Sequence, residues 1–329
     1  MATSRRTGTN ENISTFGNAT RDYTVLSSWE SDTDNALSSL NQSEVLECYA
    51  DSSSYTVTAE VTFGGATTNA SYFRIVRPAS GHSHGGIPGQ GVLFTTSSNM
   101  SFWTVGEAYF STQDIEVGSY SLLQSANRNV FRSDYSYTDF TGCIAHDILN
   151  TSSGSTAAIS AFISVANNYI HAINCLASDI RSTGAGNSMG FRNYSGTLYC
   201  YNCTAVNCEQ GFNVNSTMYR KNCLADGNDD DVYGSPNDTT CYDSGDNGRG
   251  SYSLTYESSN QDDFHIVEAD RTTMGAGTDL SADGVFPFDD DIDGDSRSSW
   301  DIGFDEYVGG GGGGPTIPVL AYHYNRHVF

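Results

Sequence analysis

The sequence predicts an all-β chain folded as a single right-handed parallel β-helix, and three observations carry that prediction. The first is composition. Tyr and Phe are plentiful, Ser, Thr, Asn, Asp and Gly make up most of the remainder, and Lys221 is the only lysine. Formers of long helices are scarce, whereas strand and turn formers abound. The second is a recurring phrase. GCIAHD, NCLASD, NCTAVN and NCLADG place Cys143, Cys175, Cys203 and Cys223 at intervals of 32, 28 and 20 residues. The third is a longer alignment of the last two copies, in which Phe191 matches Phe212 and Tyr199 matches Tyr219. A period in the twenties marks a stacked architecture. The short segments between copies show no 3.6-residue apolar stripe, which excludes helical repeats.

Taken in order, residues 1–44 read as an N-terminal arm and cap. Val25, Leu26, Trp29, Leu37 and Leu40 are expected to line one side of a short, broken helix that covers the open end of the stack. Residues 45–308 read as the parallel β-helix, beginning with strands in SEVLECYADSS and TVTAEVTFGG. In each phrase the Asn, or Gly142, suits the left-handed conformation of a sharp bend. The Cys and the Ala two residues later then share one face of a strand. Cys143, Cys175, Cys203 and Cys223 are expected as an interior ladder of free thiols, and Asn174, Asn202 and Asn222 as an amide ladder with each amide bonding the next coil. Two other readings of the cysteines stay open. Cys200, Cys203 and Cys208, with Cys223 as a fourth ligand, approach a zinc spacing, and Cys200-x-x-Cys203 invites a disulfide.

Charge excludes some function classes. The net charge is −24, which repels nucleic acid and anionic membrane. No run approaches 18 consecutive apolar residues, so no membrane insertion is expected. The N-terminus lacks the apolar core of a signal peptide, yet the composition looks extracellular, a combination suited to a chain released by lysis. The triplets at Asn69, Asn193 and Asn215 read as a by-product of Asn/Ser/Thr richness.

Near the C-terminus stand Phe264-His265-Ile266, then Asp291-Ile292-Asp293-Gly294 with Arg297, then Asp301-Ile302-Gly303-Phe304-Asp305-Glu306. This succession resembles the closing block of many right-handed parallel β-helix proteins of the pectate-lyase-like superfamily, over residues 261–307. The resemblance is weaker over 20–260 and absent from 308–329. It implies a chain of phage-like or environmental bacterial type. Asp291, Asp293 and Asp295 alternate around a glycine as in calcium loops, but Ile302 stands where a bidentate acid would close an EF-hand. The expectation is a turn whose carboxylates meet Arg297 and nearby backbone N–H groups, with calcium as the alternative and no other cofactor.

Enzymes on this scaffold need clustered carboxylates. Asp147, Asp179 and Asp226 follow the repeated phrase at similar offsets and are the catalytic candidates, set against the ordinary role of Asp at coil corners. His82 and His84 form a His-x-His pair that reads as an exposed Gly-rich loop. Exposed Tyr, Asn, Ser and Thr suit glycan contacts as well as a solvated β surface.

Residues 309–314 are six glycines, a flexible linker, and 315–329 read as a docking peptide with no Asp or Glu. Its Ile317, Val319, Leu320, Tyr322, Tyr324, Arg326 and Phe329 are the expected partner-binding residues, through docking or strand addition. The combined expectation is a non-enzymatic structural or binding protein on the virion exterior, as a head decoration, fibre or spike. A capsid or other virion protein would hold its tail; self-association and host-surface glycans are further partners. The alternatives are a tailspike-type polysaccharide lyase or hydrolase, and an extracellular or cell-surface adhesin or filament subunit.

Overall fold

A computed structural model describes residues 3–307, except 124–125, 152–156, 166–168, 185, 245–255, 259–262 and 267–272. The expected glycine linker 309–314 and docking peptide 315–329, with its seven partner-binding residues, lie outside the described residues. Among the described residues no helix is long and apolar enough to cross a membrane.

Successive short strands are dealt in turn to three sheets, of nine, eight and seven strands, in which every pairing is parallel. One coil shows the pattern: Thr138–Thr141 joins the first sheet, Ile144–Asn150 the second and Ile159–Ser164 the third. The next coil repeats it with Tyr169–Ile173, Leu176–Ser182 and Met189–Asn193. The protein is thus a parallel β-helix.

The repeated phrase marks the corner between the first and second sheets. Gly142, Asn174, Asn202 and Asn222 all adopt positive φ, between +51° and +62°. The expected amide ladder is confined to one long contact, Asn222 Nδ2 to Asn202 Oδ1 at 3.4 Å, because the amides of Asn174, Asn202 and Asn222 donate instead to carbonyls of residues 278–303 that cover the corner. The register that follows pairs Ala145 with Ala177, Ala177 with Ala205, and Ala205 with Ala225. Cys143, Cys175, Cys203 and Cys223 point inward, fully buried and free. Each thiol donates to a first-sheet carbonyl one coil back: Cys143 to Thr112, Cys175 to Phe140, Cys203 to Ala172 and Cys223 to Cys200, at 3.0–3.4 Å. Burial pushes these thiols up in pKa. The corner extends beyond the phrase. Asp114 and Thr240 are also left-handed, and Cys241 follows Thr240 as a further member of the row. Thr240-Cys241-Tyr242-Asp243 keeps the bend and the thiol but has lost the Asn and the Ala, which hid it in the sequence.

On the third sheet the core is an aromatic column. Phe131, Phe162, Phe191 and Phe212 occupy one register. Their ring centroids lie 4.9–5.0 Å apart with interplanar angles of 8–13°. Coils about 4.8 Å apart impose this spacing on any inward side chain that repeats in register.

The N-terminal end departs from expectation in two ways. Glu11–Phe16 is already a strand, paired in parallel with Ser43–Cys48 at the edge of the first sheet. Helices Leu26–Asp32 and Leu37–Leu40 follow, and Leu26, Trp29 and Leu37 are buried, with Trp29 against Phe63. Val25 and Leu40 are exposed, because two helices this short cannot turn all five apolar residues to one side.

The C-terminal block also differs from its expected place at the end of the stack. Residues 273–307 run as a strap along the side, over the corner between the first two sheets. Ile292 and Phe304 pack on Ile144, Leu176 and Val206, while Leu280, Phe288 and Trp300 pack on Ile173 and Tyr201. Alternation explains it. If Cys and Ala of each phrase face inward, the residue between them faces outward, and at Ile144, Leu176 and Leu224 that residue is apolar and needs a cover. The N-terminal arm joins the strap: Ser4 N donates to Asp290 at 2.7 Å, and Arg5 bridges Asp114 and Asp290.

Candidate functional site

The strap is held by its own carboxylates. Glu306 accepts backbone N–H groups from Ser298, Ser299, Trp300 and Asp301, at 2.6–3.2 Å. Burial opposes its charge, but these donors outweigh that and keep its pKa low. Asp301 accepts from Gly275 and Tyr307. Gly303, at φ +113°, holds a backbone conformation that side chains strain, and a Cβ there would press on Thr204 Oγ1 at 3.1 Å. Arg297 is buried and donates to the carbonyls of Asp290, Gly303, Phe304 and Asp305 and to Asn174 Oδ1.

The Asp291–Asp295 turn makes the expected carboxylate contacts to backbone N–H groups but not the expected hydrogen bond to Arg297. Arg297 is drawn to the strap's carbonyls, while Asp291 Oδ1 accepts N–H from Asp293 at 3.0 Å and Asp295 at 2.9 Å. Asp291 is buried and turned into its own loop, and Asp295 is exposed, so the three acids do not form one oxygen cage. Burial lifts Asp291 to about 7, against the pull of Arg297.

What does converge is one residue from each of the three C-terminal blocks. His265 lies on Asp263–Ile266, which pairs antiparallel with Tyr256–Ser258. One donor atom each from His265, Asp293 and Asp305 lies within 4.8 Å of the others. His265 Nδ1 faces Asp263 Oδ1 at 2.6 Å, and Nε2 faces Asp293 Oδ1 at 3.4 Å. Burial alone would depress the imidazolium; the hydrogen bonds to Asp263 and Asp293 outweigh it and raise His265 to about 11. Asp305 is buried and accepts from Ile266 N at 2.9 Å; burial raises it to about 6 despite the charge of His265. The turn through Gly86, at φ +69°, closes over the imidazole.

The catalytic candidates do not converge in the same way. Asp147 and Asp179 stack in the left-handed position of a second bend, at φ +50° and +53°, where Asn207 follows. Asp226 pairs with Val206 and so sits one residue earlier than that row. Asp147 also meets His146 Nδ1 at 3.2 Å. His82 and His84 part company: His82 Nδ1 accepts from Ala50 N, while His84 is buried between Gly142 O and Gly86 N. Cys200 and Cys208 are buried free thiols like Cys203.

Compared with family models, curated proteins and solved structures, the chain matches none.

Another feature able to hold a ligand, among the described residues, is an open groove across the last coils of the third sheet, lined by Asn187, Arg192, Gln210, Asn213, Asn215 and Tyr233. The amides are chained, Asn215 to Asn213 Oδ1 and Asn213 to Gln210 Oε1, both at 2.6 Å. Arg192 lies over Tyr194 at 5.0 Å, and its Nε is buried with no hydrogen-bond acceptor among the described residues. Burial lowers the Arg192 pKa. Of these side chains the sequence singled out only Asn215, as part of an N-x-S/T triplet, because the groove is assembled from loops and strands on separate coils.

Proposed function

We propose that this protein is a non-enzymatic binding rod of the pectate-lyase-like type, displayed on the outside of a phage-like particle and moored by residues 315–329, with the third-sheet groove as its glycan-contacting surface. The observation that carries the binding role is the groove itself. Its linked amides and the Arg192 side chain that lines it offer donors to a hydroxyl-rich chain, and exposed Tyr233 offers an apolar ring. The mooring role rests on composition: a glycine linker followed by a segment with no acid, in a chain of net charge −24.

Two experiments test the halves separately. Deleting 309–329 leaves a soluble, folded rod that no longer attaches to its particle; loss of folding would make the peptide part of the core. A glycan array on the full chain, compared with Arg192→Ala and Tyr233→Ala, shows binding that both substitutions weaken; equal binding by all three would remove the groove from the reading.

A cleaving enzyme is the second reading, favoured by Glu209, Asp229 and Asp230 along the neighbouring rim. Glu209 is committed elsewhere, accepting Ser182 N at 2.7 Å and Ser188 N at 2.5 Å, and Asp229 pairs with Arg181. Release of reducing ends from a bound polysaccharide would establish this reading instead.

A further inference from the structure

We propose that His265, Asp293 and Asp305 form a binding site for a first-row divalent metal ion, with Asp263 orienting the histidine, and that the ion staples the strap to the antiparallel pair beneath it. The donor geometry comes first: three ligand atoms, one imidazole nitrogen and two carboxylate oxygens, within 4.8 Å of one another. Such atoms can close around a single ion at bond lengths of about 2.0–2.2 Å.

The second observation does not involve the two carboxylate ligands. A ligating histidine characteristically donates its other ring N–H to a carboxylate, which fixes the tautomer and aims the free nitrogen. Here Asp263 takes Nδ1 at 2.6 Å, leaving Nε2 directed at Asp293. The third is steric. A Cβ on Gly86 would come within 2.5 Å of Nε2, so a larger residue there would occlude the donor atom. Asp305 adds a buried carboxylate for which the described hydrogen bonds show one backbone donor, Ile266 N.

The donor set selects the ion. Calcium takes six to eight oxygens, and two carboxylates with an imidazole fall short of that. Imidazole with carboxylate suits zinc, manganese or cobalt, with waters completing the shell. Loading requires Nε2 to be free of a proton, so affinity rises with pH. The ion would join residue 265 to residues 293 and 305, tying together segments separated by the 267–272 stretch and the length of the strap.

The test uses the full chain, stripped with chelator and titrated with Zn²⁺ or Co²⁺ by calorimetry, with the cobalt d–d spectrum reporting coordination. One equivalent binds, and the thermal midpoint rises. Asp293→Asn changes an exposed residue and so keeps the fold, and it weakens binding at least tenfold. Asp263→Asn, which removes no ligand, weakens it by about 10–100-fold. Asp295→Asn, an exposed acid on the same turn, leaves affinity unchanged. No stoichiometric binding overturns the proposal, as does equal binding by wild type and Asp293→Asn, which would assign the ion to diffuse acidic charge. The outcome is independent of the glycan-array result.

Discussion

Asn222 offers the clearest test of how the corner holds the strap. Its φ is +51°, and its amide clamps both backbone polar groups of one residue: Nδ2 donates to Thr278 O, and Thr278 N donates to Oδ1, each at 2.8 Å. Asn222→Ala removes both bonds and puts a Cβ-bearing residue without a polar group in the left-handed region. Thr278 is exposed, so water replaces part of each bond, and the pair is worth about 1.5 kcal/mol. The left-handed conformation adds about 1–2 kcal/mol, for a total of about 3 kcal/mol. Asn222→Gly loses the same bonds but not the backbone fit, and costs about 2 kcal/mol once its extra unfolded-state entropy is included. Neither change touches the backbone bond from Gly303 N to Asn222 O. Urea unfolding of the three proteins reads the differences, and limited proteolysis reports release of the strap around Thr278. An alanine variant as stable as wild type, or a glycine variant less stable than the alanine one, would refute the reasoning.

Phe162→Ala removes the centre of the aromatic column, with partners at 5.0 and 4.9 Å, and lowers unfolding free energy by about 4–6 kcal/mol, read by the same denaturation. Phe162→Leu, which keeps most of the volume, costs less than half of that. Burial alone would lower the pKa of His146; Asp147 and Glu116 outweigh it and raise it to about 9. A raised histidine pKa stabilises the fold fully below the unfolded value of about 6.5 and loses that contribution as pH rises through about 9. The gap corresponds to about 2–3 kcal/mol, taken below the full value because Nε2 stands 3.6 Å from Glu116, an ion-pair distance too long for a hydrogen bond. Stability measured from pH 6 to 10 falls across that window, and the slope flattens in His146→Gln. The thiols of Cys143, Cys175, Cys203 and Cys223 resist a thiol reagent in the native protein and react in denaturant, where all eight cysteines are titrated.

By itself the sequence determined the solenoid. The Asn–Cys–x–Ala phrase states a left-handed bend, two small inward residues and a repeat length, and these local facts suffice because each coil contacts only its neighbours. The pairings of Phe191 with Phe212 and Tyr199 with Tyr219 were legible for the same reason. The strap's path was not. Outward Ile144, Leu176 and Leu224 signalled that something must cover the corner, but which segment did so depended on contacts more than a hundred residues apart in the chain, such as Ile292 and Phe304 on Ile144. Only the tertiary structure drew His265, Asp293 and Asp305 from three separate blocks to one point, and set Asp291 into its own turn instead of against Arg297. Local pattern encodes bends and strand faces, whereas a site assembled from distant segments exists only once the chain has chosen which surface each segment buries.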